Sequence, residues 1–301
     1  MEERTETFIT GVDIGGSHIT AGLVNMQGRA VDGEIIRRKI NSQGSANYIL
    51  DAWGSVIKEL WNGHQLDKCR IGFAMPGAFD YENGICLIKG FDKYESLYGF
   101  DIRETLAERL EMNGTDILFR NDAEAFLDGE IYAGSAKGYE DVIGITLGTG
   151  LGSAISHNGI TCDAELSVLP YKDEIIEEYV STRAIIRSYQ ANSGKVINDV
   201  KEAAELLANG DNAAIVAFKE FSDHLAWFLE LFINREKPEL LVVGGNIAQS
   251  WQLFMPEVVK TLSSKINEMP AIVKASLGED ALLIGGACCF QRQSSPVKVS
   301  L

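Results

Sequence analysis

The chain has 301 residues, of which 46% are hydrophobic and 23% are charged, so it has the composition of a folded globular protein rather than a disordered one. Its 27 basic and 43 acidic residues give a net charge of −16, which argues against nonspecific binding to nucleic acid or to an anionic membrane. A chain of this length lies at the upper limit for one hydrophobic core, so two lobes are expected.

The cysteines and the apolar segments indicate a cytoplasmic protein. Five cysteines, an odd number without a Cys-x-x-Cys pair, are expected to be reduced core thiols. Residues 1–4 lack the basic and apolar pattern of a signal peptide. The longest apolar stretch, residues 225–233, contains a glutamate and is too short to cross a bilayer.

Two segments of the chain repeat one pattern of strand, glycine turn and strand. Residues 8–12 alternate in hydrophobicity and run into a glycine turn at 13–17, after which residues 19–24 resume a strand pattern. Residues 141–155 repeat this arrangement at an offset of 133 positions, which aligns Gly144 with Gly11. The repeat predicts two lobes built on one plan.

The remaining elements alternate between helix and strand. Before the second hairpin, the pattern predicts helices at 46–62, 100–112 and 122–132, with strands at 70–75 and 117–119. After it, the pattern predicts helices near 174–189, 198–208, 211–236, from 248 and at 279–290, with strands at 240–243 and 271–274. Helices interleaved with short apolar strands indicate an α/β protein whose sheets are covered on both faces.

The two glycine turns are candidate phosphate sites. Gly15 and Gly16 allow close approach of the backbone to a ligand, and Asp13 beside them suggests Mg²⁺, held directly or through water. The second turn, residues 146–150, offers hydroxyls and amides without a negative charge, which suits direct contact with phosphate. A single glycine hairpin is usually a plain turn, but two related hairpins favour a nucleotide site. Neither a P-loop nor a Rossmann fingerprint is present.

Asn121 and Asp122 stand between a short predicted strand and a predicted helix. An Asp or Asn in this position usually caps the helix. A carboxylate there is also deprotonated at neutral pH and able to accept a proton from a hydroxyl group. The spacing alone leaves both interpretations open.

Six segments in order give the chain a recognisable family pattern: GVDIGGSHITAGLV, IGFAMPGAFD, NDAEAF, GITLGTGLGSAI, LLVVGGNIAQ and SLGEDALLIGGA. This set resembles the ROK family (repressor, open reading frame, kinase), a bacterial branch of the hexokinase, actin and Hsp70 superfamily. The resemblance implies a two-lobed, actin-like ATPase fold of the ribonuclease H type with a central cleft for nucleotide and sugar. The lobes are expected at 1–121, the smaller, and at 122–280, with a C-terminal helix near 281–293 packing back onto the first.

The resemblance also assigns roles to individual residues. Asp122 matches the catalytic base, and Asp13 matches the residue near Mg²⁺. The sugar-binding set is Asn121, Asp122, Glu165, Glu177 and Gly77. The set for ATP and its phosphates is Asp13, Gly15, Gly16, Ser17 (where threonine is more usual), Gly148, Thr149, Gly150, Gly244 and Gly245.

The sequence departs from the family pattern on the sugar side. Residues 165–168 read Glu-Leu-Ser-Val in place of Glu-x-Gly-His, so the sugar-binding histidine is absent. The cysteine-rich zinc loop is also missing, and no structural zinc is expected. Near residues 88–92 the usual Pro-Asn contact is not visible, and Lys89 or Lys93 could enter the pocket, although a surface position is the more usual one. His18 is expected to point away from the first turn.

These observations predict an ATP-dependent hexose kinase that acts on glucose at the 6-hydroxyl with Mg²⁺. The alternatives are a noncatalytic sugar-binding or regulatory protein, or a kinase for an N-acetylhexosamine, mannose, allose or fructose. A ROK repressor needs a helix-turn-helix ahead of the first phosphate motif, where only about ten residues stand here, and is not expected. The expected partners are the sugar and ATP, without nucleic acid or membrane, and a homodimer is possible.

Overall fold

The computed structural model describes residues 7–90 and 93–291, and the chain divides into two compact units. The first unit consists of residues 1–134 and 279–301, and the second of residues 135–278. Phe91 and Asp92 belong to residues 88–92, where the sequence departs from the family pattern, and they lie outside the described residues. The end of the predicted C-terminal helix, after residue 291, lies outside them as well.

The elements alternate along the chain as the sequence predicts. The strands are β1 (Phe8–Ile14), β2 (His18–Asn25), β3 (Ala30–Lys39), β4 (Ile71–Met75), β5 (Phe79–Asp80), β6 (Ile85–Cys86), β7 (Ile117–Asn121), β8 (Val142–Leu147), β9 (Leu151–His157), β10 (Ile160–Asp163), β11 (Pro170–Tyr171), β12 (Glu174–Ile175), β13 (Leu240–Gly244) and β14 (Ala271–Lys274). The α-helices are α1 (Ala46–Gly63), α2 (Ile102–Leu110), α3 (Asp122–Tyr132), α4 (Thr182–Ser193), α5 (Val200–Ala208), α6 (Asn212–Glu236), α7 (Met255–Ser263) and α8 (Asp280–Ala287).

The main sheets of the two units share one strand plan. In the first unit the order is β3-β2-β1-β4-β7, with β3, β2 and β1 antiparallel and β1, β4 and β7 parallel. In the second unit the order is β10-β9-β8-β13-β14, again with an antiparallel group followed by a parallel one. The prediction of two lobes on one plan is therefore confirmed, since each glycine hairpin occupies the same place in its own sheet.

Amphipathic helices cover these sheets. The helix α1 begins after Ser45, whose hydroxyl accepts a hydrogen bond from the Tyr48 amide, and it buries an apolar face that includes Trp53. In the second unit, the stripe of Leu225, Phe228, Leu229 and Phe232 on α6 is buried in the core. Within the described residues, no helix is both long and apolar enough to cross a membrane.

The boundary between the units differs from the predicted one. It follows Gly134 rather than residue 121, because α3 packs against α8 and therefore belongs to the first unit. Gly129 and Gly285 make this packing possible: a Cβ atom on either would overlap the backbone of Ala281 or Ala125 on the opposing helix. With α3 and α8 included, the first unit is not the smaller of the two.

Several local predictions are wrong. The predicted helix at 174–189 begins only at Thr182, because residues 170–175 form the short β11–β12 hairpin and residues 176–178 a 3₁₀ turn. The helix predicted from residue 248 is a kinked 3₁₀ segment over 246–253, followed by α7. The sequence pattern also missed β3, whose residues are mostly exposed.

Candidate functional site

The first unit brings its predicted site residues to one edge of the sheet. The parallel strands β1, β4 and β7 are neighbours, with Asp13 in register with Ala74 and Met75 in register with Asn121. The carboxyl ends of parallel strands meet at the same sheet edge, where ligands of α/β proteins commonly bind. Asp13, the Gly77 turn and Asn121–Asp122 therefore lie along this edge.

The first glycine turn exposes backbone amides. The Gly15 amide donates to the His18 carbonyl at 2.9 Å, which closes the turn, while Gly16 and Ser17 are exposed. The Ser17 carbonyl accepts from the Ile40 amide at 2.9 Å. The amides of Gly16 and Ser17 donate to no acceptor among the described residues, so they are available to an anion.

His18 lies at the turn, contrary to the prediction that it points away. Its Nε2 is 3.8 Å from Asp13 Oδ2 and 3.3 Å from Arg37 Nη2. A Cβ atom on Gly15 would lie 2.7 Å from that same Nε2, so the imidazole covers the glycine. Strand alternation failed here because His18 is the first residue of β2 and its ring folds back over the turn.

Asp13 fits a magnesium ion that arrives with a nucleotide. Its carboxylate is 16% exposed and lies beside the amides of the turn. Mg²⁺ is commonly held by one or two carboxylates together with substrate phosphates and water, so a single aspartate is sufficient. Within residues 7–90 and 93–291, no cluster of three or more His, Cys, Asp or Glu side chains could hold a metal alone.

Asn121, rather than Asp122, caps the helix α3. Its Oδ1 accepts hydrogen bonds from the amides of Ala123, at 2.8 Å, and Glu124, at 3.3 Å. Asp122 is the first residue of the helix, and its Oδ1 accepts from the Ala123 amide at 2.9 Å. The helix terminus favours an ionised carboxylate at this position. The capping requirement is therefore met without Asp122, which lies partly exposed at the sheet edge.

Tyr81 connects three parts of this edge and was missed by the sequence analysis. Its hydroxyl donates to the Met75 carbonyl at 3.0 Å and accepts from Asn121 Nδ2 at 3.3 Å. A Cβ atom on Gly77 would lie 3.6 Å from the same oxygen. Tyr81 thus fixes the Asn121 side chain beside Gly77. A tyrosine five residues beyond Pro76 carries no distinctive sequence signal.

The second unit holds the turn of residues 148–150 by its carbonyl groups. The Gly148 carbonyl accepts from the Thr182 amide at 2.8 Å and from its hydroxyl at 2.9 Å. The Thr149 carbonyl accepts from Arg183 Nη1 at 3.0 Å. Because the start of α4 binds these carbonyls, the turn is fixed from one side. Arg183 is a further residue that the sequence analysis did not single out.

Gly244 and Gly245 lie next to this turn within the second unit. Gly244 is in register with Thr146 on the neighbouring parallel strand β8. Gly245 has φ +86°, and a Cβ atom there would lie 2.6 Å from the Leu147 amide nitrogen. Both the backbone angle and the close approach to β8 require glycine. The predicted adenosine turn and the second phosphate turn are thus adjacent.

Glu165 and Glu177 have different surroundings in the second unit. Glu165 is exposed with φ +51°, and its amide donates to Asp163 Oδ1 at 2.8 Å. Glu177 Oε2 accepts from the Leu151 amide at 2.9 Å, and its Oε1 accepts from Arg183 Nη2 at 3.1 Å. Glu177 therefore braces the second glycine turn, and a contact with sugar would use the remaining lone pairs of its carboxylate.

An aromatic cluster anchors the segment between these two glutamates. Tyr171, on the β11–β12 hairpin, lies 4.2 Å from Trp227 and 5.0 Å from Tyr179, measured between ring centroids. Its hydroxyl is 2.8 Å from Nδ1 of His224. Burial lowers the pKa of His224, so the neutral ring is favoured as an acceptor. No motif in the sequence indicates this contact of His224.

The fold and the two glycine turns indicate the kind of protein to which this chain belongs. The chain has an actin-like ATPase fold, which it shares with solved sugar kinases. The ROK family model matches residues 9–164 and 171–293, and the chain belongs to this family. The match is interrupted at residues 165–170. These include residues 165–168, where the sequence differs from the family's sugar-binding motif.

Two named proteins and one solved structure are similar to this chain over nearly its whole length. The glucokinase of Thermotoga maritima is 25% identical, with 95% of this chain and 98% of that protein covered. The N-acetyl-D-glucosamine kinase of Histophilus somni is 23% identical, with 93% and 98% covered. The structure of a ROK glucokinase from Streptomyces griseus, in complex with glucose and AMPPNP, superposes with a TM-score of 0.77 at 23% identity and covers 94% of this chain and 98% of that one.

Proposed function

We propose that this ROK protein is an ATP-dependent hexose kinase that phosphorylates glucose at its 6-hydroxyl. The observation that carries the proposal is the common sheet edge of the first unit, which holds both Asp13 with its glycine turn and the partly exposed Asp122. Asp13 and its glycine turn suit a metal-bound phosphate, and Asp122 suits a hydroxyl group that must lose a proton. Related proteins named as sugar kinases support the same chemistry.

In this mechanism Asp122 is the general base. The sugar oxygen forms a bond to the γ-phosphorus of ATP, the bond from that phosphorus to the bridging oxygen of ADP breaks, and the hydroxyl proton passes to the Asp122 carboxylate. Phosphoryl transfer has a loose transition state, so most of the rate enhancement comes from positioning and charge stabilisation. A positioned base contributes on the order of 10²- to 10⁴-fold.

The other residues bind and orient the substrates. Asn121 and Glu165 are proposed to contact sugar hydroxyls, together with Glu177 and the backbone at Gly77. The amides of the two glycine turns would bind phosphate oxygens, and Gly244–Gly245 would lie against adenosine. Asp13 would hold Mg²⁺, which neutralises phosphate charge when bound.

Glucose is the proposed sugar, and an N-acetylhexosamine is the principal alternative. The named relatives include kinases for both sugars. Val168 stands where the family pattern has its sugar-binding histidine, and it is 63% exposed. An apolar side chain in place of a hydrogen-bonding one changes which sugar substituents are tolerated there. A cytoplasmic location is proposed as well, because ATP is available there.

The test is a coupled assay of ADP release with ATP, Mg²⁺ and a panel of hexoses and N-acetylhexosamines. The variant Asp122→Asn keeps the shape of the side chain and removes the base. Asp67→Asn, the same change at an exposed aspartate of the first unit, is the matched control. We expect sugar-dependent ADP release from the wild type and from Asp67→Asn, and a loss of about 10²-fold or more in Asp122→Asn.

Two other outcomes would contradict parts of the proposal. Near-normal turnover by Asp122→Asn would remove Asp122 from the base role. No turnover with any sugar, combined with sugar binding in calorimetry, would instead favour the noncatalytic sugar-binding protein.

A further inference from the structure

Lys93 lies over the exposed glycine of the first turn. A Cβ atom on Gly16 would lie 3.9 Å from Lys93 Cδ, and no other heavy atom of the described residues, apart from the turn's immediate neighbours, comes within 4 Å of that point. Two further bonds separate Cδ from the ammonium nitrogen. The ammonium group can therefore reach an oxygen atom bound to the Gly16 or Ser17 amide.

The adjacent residue fixes this placement. Tyr94 is buried, its amide donates to the Ser42 carbonyl at 2.7 Å, and its hydroxyl donates to the Gly15 carbonyl at 2.6 Å. Its ring packs edge-on against Trp53 at 5.6 Å. Burial, together with the nearby Asp13 carboxylate, raises the pKa of Tyr94, so its hydroxyl stays protonated as a donor. Lys93 thus directly precedes a buried residue that is hydrogen-bonded to the first glycine turn.

The charges around the turn leave Lys93 available to a ligand. Within the described part of the chain, its ammonium forms no hydrogen bond or ion pair. Lys89, on the same segment, lies over the Tyr98 ring at 5.2 Å. Arg37 Nη1 donates to both carboxylate oxygens of Glu279, at 2.5 and 2.7 Å. The Glu95 carboxylate accepts from the Gly90 amide at 2.8 Å.

We propose that Lys93 is a nucleotide-binding residue whose ammonium contacts a phosphate oxygen of ATP held at the first glycine turn. Backbone amides and a lysine ammonium on one turn together form a site for a phosphate anion. In a protein of net charge −16, this local cation also offsets repulsion between the protein and the nucleotide. The inference deepens the proposed kinase function and rests on it for the identity of the anion as ATP.

The test compares Lys93→Met, which keeps an unbranched side chain of nearly the same length without its charge, with Lys93→Arg and with Lys89→Met as the matched control. Calorimetry measures the binding of ADP and of adenosine in the presence of Mg²⁺, and steady-state assays give the KM for ATP and for the sugar. We expect Lys93→Met to weaken ADP binding and raise the KM for ATP about five- to thirtyfold. Adenosine binding and the KM for sugar should be unchanged, Lys93→Arg should retain most of the ADP affinity, and Lys89→Met should match the wild type.

The ADP measurement separates this inference from the kinase proposal. Wild-type protein that binds ADP but turns over no sugar would contradict the kinase, while a loss of ADP affinity in Lys93→Met would still support the phosphate contact. Equal ADP binding by Lys93→Met and the wild type, together with an unchanged KM for ATP, would overturn the role of Lys93. Equal losses of ADP and adenosine binding would overturn it too, since they would show disruption of the whole nucleotide site.

Discussion

The Glu177 carboxylate accepts a 2.9 Å hydrogen bond from the Leu151 amide, which ties a predicted sugar ligand to the second glycine turn. A Cβ atom on Gly150 would lie 2.5 Å from the same carboxylate oxygen, so the side chain is packed directly against the turn. Arg183 completes the arrangement by binding both Glu177 and the Thr149 carbonyl. A change at Glu177 is therefore expected to affect the nucleotide as well as the sugar.

The variant Glu177→Ala tests this coupling. Removal of the carboxylate leaves the Leu151 amide without its acceptor, and the loss of such a bond costs about 1–3 kcal/mol. We expect the KM values for ATP and sugar both to rise about tenfold. Glu174→Ala, which removes a more exposed carboxylate paired with Arg187, should change neither. A rise in the KM for sugar alone would show that Glu177 acts only as a sugar ligand.

Gly245 is predicted to tolerate no side chain. In Gly245→Ala the new Cβ atom meets the backbone of Leu147, and φ is +86°. Gly138→Ala is the control, because Gly138 has φ +92° with no heavy atom within 4 Å. Strain at positive φ costs about 1 kcal/mol in both variants, and the clash adds about 1–3 kcal/mol in Gly245→Ala. Urea unfolding should therefore show a larger loss of stability in Gly245→Ala than in Gly138→Ala. Equal destabilisation would contradict the close approach of β13 to β8.

His157 should stabilise the second unit at low pH. Its Nδ1 is 2.9 Å from Asp141 Oδ1 and its Nε2 is 3.1 Å from Glu236 Oε2. The hydrogen bond to Asp141, followed by that to Glu236, raises the pKa of His157 above its ordinary 6.5. The imidazolium form is favoured in the folded state, so its contribution is complete below pH 6.5 and is lost as the pH rises through the raised pKa. The difference in Tm between wild type and His157→Gln should shrink from pH 6 to pH 9, and a constant difference would contradict this assignment.

His224 should show the opposite dependence. Burial, and then the charge of Lys172, lower its pKa below 6.5. The neutral ring is favoured in the folded state, so its contribution is complete above pH 6.5 and is lost as the pH falls toward the lowered pKa. The Tm of the wild type should fall more steeply than that of His224→Gln between pH 6.5 and pH 5. Parallel curves would show that protonation of His224 does not oppose folding.

The sequence predicted the strand plan that the two units share, because the pattern that indicates it lies within one short segment of each unit. Each glycine hairpin has alternating strands around a turn that needs special backbone angles, and both occur as expected. The helices α1 and α6 have strong apolar faces and were predicted to within one residue at each end. The ROK motifs then provided the order of the two units.

The missed features depend on tertiary contacts. The strand β3 has few buried residues, so no hydrophobic period indicates it. Tyr81, Tyr94 and Arg183 take their roles from partners between 6 and 79 positions away. The boundary between the units was misplaced because the packing of α3 on α8 joins segments far apart in the chain.

Whether the protein phosphorylates glucose with Asp122 as the base is decided by identifying the product. Wild-type protein would be incubated with ATP, Mg²⁺ and glucose, and the products followed by phosphorus NMR, with Asp122→Asn and Asp67→Asn in parallel. We expect equal amounts of ADP and glucose 6-phosphate from the wild type and Asp67→Asn, and almost none from Asp122→Asn. Release of ADP and inorganic phosphate without any sugar phosphate, or equal sugar phosphate from all three proteins, would contradict this expectation.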